Sequence, residues 1–157
     1  MDSGPSAVTF VADKHHFTPD EMSQYMNKKS GFLGVSGISS DNREITAAAA
    51  KGDKRAILAS EMLAYEIQRY IGAYTAAMNG VDAVLFTGGI GENSWEVRER
   101  VCENMTYFGI EIDKELNKAT KGKLAKISKE GTKTEVWVVP TNEELLIARD
   151  TLALISK

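Results

Sequence analysis

The chain has one cysteine, Cys102, so no internal disulfide can form, and it lacks both a CxxC pair and a Cys/His cluster of the kind that holds zinc. Such usage fits a reducing, cytoplasmic setting. No apolar run approaches the ~20 residues that span a bilayer, and no basic segment followed by an apolar one opens the chain, so no membrane address is expected. A surplus of one charge is missing too. Nineteen Lys and Arg against 22 Asp and Glu leave a net charge of -3, too small a field to draw in nucleic acid or anionic lipid. Internal repeats and low-complexity segments are also absent.

What is present is an ordinary globular composition, 43% hydrophobic and 26% charged over 157 residues, enough for one domain with its own core. Residues 1–157 are therefore expected to form a single unit, with Met1 to Pro5 as a leader that carries no structural signal of its own.

Taken in order, Val8 to Val11 reads as a short strand or the tail of a helix. Thr18-Pro19-Asp20-Glu21 opens a helix to about Lys29, with Thr18 and Glu21 as a capping box and Met22, Tyr25 and Met26 turned inward. His15 and His16 lie in a polar stretch and receive no role. Ser30 to Ser40, rich in glycine and serine yet carrying Phe32, Leu33, Val35 and Ile38, reads as a buried or cleft-lining loop. Asp41 or Ser40 then caps a helix, and Arg43, a first-turn cation opposed to the helix dipole, points to a role in a cleft.

Gly52-Asp53 interrupts the pattern before a helix from about Asp53 to Met78, roughly 40 Å long at ~1.5 Å per residue. Its apolar positions cover more than one face, which calls for burial on two sides, against a sheet and a second subunit. Asn79-Gly80 stops it. Val81 to Phe86 is a continuous apolar run, as in a central parallel strand. Beyond it come a helix capped by Ser94 with Val97, Val101 and Met105 inward, a short strand or extended connection at Phe108 to Ile112, and a helix over Asp113 to Thr120. Thr134 to Val139 is a second strand ended by Pro140, and Thr141 to Glu144 forms a capping box before the last helix. Strands alternating with helices predict an α/β fold with parallel strands.

Between the strand at Val81 to Phe86 and the helix at Ser94 lies the densest signal, Thr87-Gly88-Gly89-Ile90-Gly91-Glu92-Asn93. Glycines between a strand and a helix let backbone amides approach a phosphate. A P-loop is excluded because the turn has no lysine. A dinucleotide fingerprint fits the spacing, with Glu111 where a ribose-binding acid would stand, although 80 residues precede the strand. A plain tight turn is the third reading. Glu92 disfavours phosphate contact through its own side chain and is suited to a ribose hydroxyl or a backbone amine at the helix start.

Three segments in this order, LGVSGISSDNREI (Leu33 to Ile45), LFTGGIGENS (Leu85 to Ser94) with Val97-Arg98, and PTNEELLIARDT (Pro140 to Thr151), resemble the acetate kinase family, which includes propionate and butyrate kinases. The resemblance runs from about Ala7 onward. It implies a ribonuclease H-like fold of the sugar kinase, Hsp70 and actin type, homodimeric, with reversible phosphoryl transfer from ATP to acetate giving acetyl phosphate and ADP with Mg2+. It places nucleotide contacts on Asp41, Asn42, Arg43, Gly89, Ile90, Gly91, Glu92 and Asn93, and the metal-associated carboxylate on Glu143, Glu144 being assigned to the capping box with Thr141. Asn42 stands where the family often has an apolar or aromatic residue. The family's catalytic residues have no counterpart in this chain, which is therefore expected to be inactive alone and to carry an incomplete sheet with an open edge. A dinucleotide-binding oxidoreductase domain and a non-enzymatic helical dimerisation module remain as alternatives.

Overall fold

A computed structural model of the chain describes residues 4–156. Part of the expected leader, residues 1–3, lies outside the described residues. Where length alone predicts a single unit, the chain divides into two compact ones, residues 1–74 and 75–157. The secondary structure is mixed α and β, with a small sheet confined to the second unit.

The first unit is helical. Helix α1 (Pro5–His15) takes in Val8 to Val11 and closes on His16 in the left-handed conformation at φ 53°. Helix α2 (Pro19–Lys29) forms its capping box: the Glu21 amide donates to Thr18 Oγ1 at 3.3 Å, and the Thr18 amide donates to Glu21 Oε2 at 2.8 Å. Of its three expected inward residues, Met22 is buried, Tyr25 is half-buried and Met26 is exposed.

The segment expected as a loop contains a helix, α3 (Gly31–Ser36). Small residues do not prevent a turn and a half of helix whose ends are glycines in the left-handed region, Gly31 at φ 59° and Gly37 at φ 70°. The cleft-lining part of the expectation holds. Phe32 and Val35 line an apolar pocket of about 490 Å³ with Ala59, Met62 and Leu63, and both pack on a core of Ile45, Ala56 and Ala59.

Helix α4 (Asn42–Ala50) starts at Asp41, and α5 (Lys54–Met78) starts where Asp53 Oδ1 accepts from the Arg55 and Ala56 amides at 3.0 and 2.8 Å. These carboxylates satisfy amides that the first turn leaves unpaired. Asn79 at φ 59° and Gly80 at φ 142° end α5 as the sequence indicates. Its buried stripe is made of small residues, among them Ala56, Ala59, Ser60 and Ala64, while Leu58, Tyr65, Tyr70, Tyr74 and Met78 are exposed.

The second unit holds β1 (Ala83–Phe86), α6 (Gly88–Asn93), α7 (Trp95–Cys102), α8 (Lys114–Ala119), β2 (Ala125–Lys126), β3 (Glu135–Val138) and α9 (Glu143–Ile155). Strand β1 runs parallel to β3 in the register Ala83↔Glu135 to Phe86↔Val138, as expected. The order β1-β3-β2, however, makes β1 an outer strand and not a central one, and Leu85 is 60% exposed. A continuous apolar run is shared by central strands and by outer strands with an uncovered face, so the pattern alone does not separate them. The antiparallel β2 is too short to leave a pattern. Phe108 to Ile112 is an extended connection, with isolated bridges from Ile110 to Thr134 and from Ile112 to Ser128.

The core of this unit is Phe86, Val97, Val101, Met105, Ile110, Ile127, Val136 and Val138. A fully buried Val or Ile contributes about 1.5–3 kcal/mol, so this layer is a principal source of the unit's stability. Thr134, also buried, bridges two segments through its hydroxyl, which lies 2.7 Å from the Phe108 carbonyl and 3.1 Å from that of Val81.

The capping box expected at Thr141 to Glu144 does not form. Asn142 caps α9 instead, its Oδ1 accepting from the Leu145 amide at 3.1 Å, because the Thr141 side chain is drawn to another element. No residue of α9 is buried. Among the described residues no helix is long and apolar enough to cross a membrane.

Candidate functional site

The glycine segment begins at Thr87 in extended conformation, turns on Gly88 at φ 70°, and continues as the six-residue helix α6. Gly88 is where glycine is required, since a Cβ is disfavoured at positive φ. Gly91 is required for a different reason. A Cβ there would lie 3.1 Å from the carbonyl carbon of Phe86 and 3.4 Å from its Cα. Gly89 is neither: its φ is not positive, and a Cβ would meet no heavy atom within 4 Å. The absence of a side chain at Gly89 serves no local packing need and leaves its backbone open beside exposed Ile90.

Glu92 joins this helix to the start of α9. Its Oε1 accepts from the Gly88 amide, the Thr141 amide and the Thr141 hydroxyl, each at 2.9 Å. These donors, the Thr141 amide foremost, then its hydroxyl and the Gly88 amide, hold the carboxyl below the usual carboxylate range. Of the two roles the sequence left open for Glu92, this is the backbone amine at the helix start. Asn93 turns back on the same helix, Nδ2 donating to the Gly89 carbonyl at 2.9 Å.

Beneath the segment lies a residue that sequence reasoning did not single out as a site residue. Arg98 is 0% exposed, and its guanidinium donates from Nη1 to the Gly91 carbonyl at 2.8 Å, from Nε to Asn117 Oδ1 at 2.7 Å, and from Nη2 to the Asn117 and Thr120 carbonyls at 2.9 and 2.6 Å. Burial pushes its pKa below the ordinary arginine value. Asn117 is buried too and donates to the Trp95 carbonyl at 2.9 Å. The available signal was an arginine set between Val97 and Val101, on the inward face of an amphipathic helix.

Asp41 to Arg43 belongs to the first unit. Asp41 caps α4 by accepting from the Arg43 amide at 2.8 Å, and the Arg43 guanidinium pairs with the same carboxylate, Nη2 to Oδ2 at 2.6 Å and Nε to Oδ1 at 3.1 Å. The Arg43 side chain and then its amide pull the Asp41 carboxyl down to about 2. The first-turn cation that pointed to a cleft is thus held by its own cap residue, with 89% of its side chain exposed. Asn42 Oδ1 is buried with no hydrogen-bond partner.

Among the described residues no group of three or more His, Cys, Asp or Glu side chains is placed to hold a metal ion. Glu143 and Glu144 are both exposed in the first turn of α9, two and three residues beyond Thr141. That arrangement fits Mg2+ bound through one or two carboxylates with phosphates and water completing the shell, and does not fit an all-protein cage. Since Thr141 is bonded to Glu92, the capping-box ground for setting Glu144 aside falls away. Glu111, the acid of the dinucleotide reading, pairs with Lys129 at 3.1 Å. Cys102 is buried, and burial pushes its thiol up to about 12.

The second unit thus brings Gly88, Glu92 and Thr141 together and backs the glycine helix with Arg98, while Asp41 to Arg43 forms a compact motif of the first unit. Residues 2–149 match the family described as the acetokinase family. Over 157 residues, all of this chain, the sequence is 51% identical to an acetate kinase of Bacteroides thetaiotaomicron, taking in 39% of that relative. The crystal structure of Porphyromonas gingivalis acetate kinase aligns with a TM-score of 0.88 at 47% identity, over 98% of this chain and 39% of that one. A propionate kinase from Francisella tularensis aligns with a TM-score of 0.82 at 34% identity, over 93% of this chain and 37% of that one. The chain spans about two fifths of the length of these relatives. By the family match along nearly its whole length, the chain belongs to the acetokinase family.

Proposed function

We propose that the chain is the nucleotide-binding part of an acetate kinase, contributing to reversible transfer of the ATP γ-phosphoryl group to acetate to give acetyl phosphate and ADP. The observation that carries this reading is the open backbone at Gly89, a glycine that packing and φ do not require, in a chain about half identical to acetate kinases throughout. Phosphoryl transfer depends mainly on positioning and on neutralising oxygen charge. In this assignment Gly89, Ile90, Gly91 and Asn93 seat the nucleotide, Glu92 holds the seat in shape, and Asp41, Asn42 and Arg43 contact the adenosine. Glu143 is the metal-associated carboxylate by its position in the family pattern, and Mg2+ bound there with the phosphates would neutralise their charge. Acetate is favoured over propionate because the sequence is 51% identical to the Bacteroides thetaiotaomicron acetate kinase over the whole of this chain and 34% identical to the propionate kinase.

The parent fold in this reading is ribonuclease H-like, and the protein is cytoplasmic. A homodimer is formed through the exposed face of α5 that carries Leu58 and Tyr65, seven residues apart and so on one side of the helix. Calorimetric titration of ADP and, separately, NAD into the chain tests the assignment. ADP binding with no NAD binding is expected. NAD binding alone selects the oxidoreductase reading, and binding of neither selects the dimerisation module. No acetyl phosphate formation is expected from the chain alone, and detecting it in a preparation free of longer enzyme would sink that part of the proposal.

A further inference from the structure

A six-residue helix does not hold itself together in water, because nucleation costs more than so few hydrogen bonds return. In α6 the problem is sharper, since Gly88, Gly89 and Gly91 all lower helix propensity. Its shape must come from tertiary links. One is Glu92, which ties Gly88 to Thr141. The others lie at the C-terminal end: the Gly91 carbonyl accepts from Arg98 at 2.8 Å, and the Glu92 carbonyl accepts from the Gly122 amide at 3.1 Å.

Arg98 acts on both of these C-terminal links. Besides Gly91 it holds the Asn117 and Thr120 carbonyls at the end of α8, and Gly122 follows two residues beyond Thr120. One planar side chain therefore fixes the glycine helix and the segment that contacts it. All four acceptors are uncharged, and the carboxylate that favours the buried cation, Glu96, acts through space and not by a hydrogen bond in this network. Burying a charge in this way is costly. A core position that needed only volume would be better served by methionine or leucine. What arginine adds is a rigid fork of five N–H donors that reaches several carbonyls at once.

We infer that Arg98 is a positioning residue for nucleotide binding: from beneath, it clamps the Gly91 carbonyl and the end of α8, holding α6 in the shape that leaves Gly89 open. It does not itself touch the nucleotide. This rests on the reading of the glycine segment as a nucleotide seat.

The test uses the full chain with Arg98→Lys, which keeps the charge and loses the fork, and Arg98→Met, which keeps most of the volume. Ile127→Ala, a core truncation with no hydrogen bond to α6, is the stability control. ADP affinity is measured by calorimetry, and amide exchange is followed at Gly89–Ser94 and at Glu135–Val138. Both Arg98 variants are expected to lose at least 10-fold in ADP affinity and to exchange at least 10-fold faster in α6, with β3 unchanged. The control is expected to speed exchange in β3 and to bind ADP within twofold of the parent. Arg98 variants that bind ADP like the parent overturn the inference and leave the nucleotide reading standing. Equal acceleration in α6 and β3, or an Arg98→Lys chain that does not fold, makes Arg98 a general core residue and overturns it as well. A parent chain that does not bind ADP overturns the nucleotide reading itself.

Discussion

Gly89→Ala separates what the glycine segment needs for folding from what it needs for a ligand. In the folded chain a methyl at Gly89 meets nothing within 4 Å, and the backbone there is not in the left-handed region. The substitution then acts mainly by raising helix propensity and restricting the unfolded chain, a gain of about 0.5–1 kcal/mol. For a chain of this length that corresponds to a rise of about 1–4 °C in Tm. Gly91→Ala gains the same propensity but sets its Cβ 3.1 Å from the Phe86 carbonyl carbon. That carbon cannot yield easily. Phe86 is paired with Val138, and its carbonyl accepts from the Val139 amide at 2.9 Å. Overpacking of about 1–3 kcal/mol outweighs the propensity gain, leaving a net loss of up to about 2.5 kcal/mol.

The two alanines should therefore move stability in opposite directions. Thermal and urea unfolding give the signs, and ADP titration gives the functional effect. Gly89→Ala is expected to bind ADP at least 10-fold more weakly despite its higher Tm, because its methyl occupies the approach to the backbone. A Gly89→Ala chain that is less stable than the parent would refute the open-space argument. One that is more stable and binds ADP unchanged would show that the nucleotide does not approach Gly89.

Three further outcomes follow from single groups. The folded Glu92 carboxyl lies below its ordinary value of 4.5, so its contribution to stability is present above that pH and is lost as pH falls through the folded value. The Tm difference between the parent and Glu92→Gln should be full at neutral pH and close in the acid range; a difference independent of pH would contradict this. Thr134→Val keeps the shape of a buried side chain and removes the donor facing the Phe108 and Val81 carbonyls, a loss of about 1–3 kcal/mol in urea unfolding. With its thiol pushed up to about 12, Cys102 should resist a thiol reagent at neutral to mildly alkaline pH while the chain is folded, and react fully in guanidinium.

Local chemistry was legible wherever its partners lie within a few residues. The Thr18 and Glu21 box, the Asp41 cap and the start of α5 follow from side chains bonding backbone two or three positions away, and the end of α5 from Asn79 and Gly80 at positive φ. Reading failed where a distant partner competed. Thr141 lies 49 residues from Glu92 in sequence, and their hydrogen bond turns a plausible capping box into a cap one residue later, at Asn142. The glycines of α3 were read as loop signals because composition does not say which glycines end a helix and which lie inside it. At Arg43 a near partner removes the ground of the inference without deciding the residue's role. The first-turn cation is compensated by Asp41, two residues before it, so no cleft is needed to explain it.

The two arginines bordering the candidate motifs bear on how the chemistry is divided. Arg43 is engaged with Asp41, and Arg98 with carbonyl and amide oxygens beneath α6. On the glycine helix, Glu92 is engaged through Oε1 with Thr141 and Gly88, and Asn93 through Nδ2 with Gly89. Polar side chains around the segment are thus used largely to hold its shape, and what it presents outward is the backbone at Gly89 and the apolar face of Ile90. A surface of that kind can seat a nucleotide by close approach, but it does little to neutralise a phosphoryl group in transfer, which requires concentrated positive charge. The chain spans about two fifths of its relatives' length. In the proposed assignment, charge neutralisation therefore falls to the metal and to groups other than those of the glycine segment.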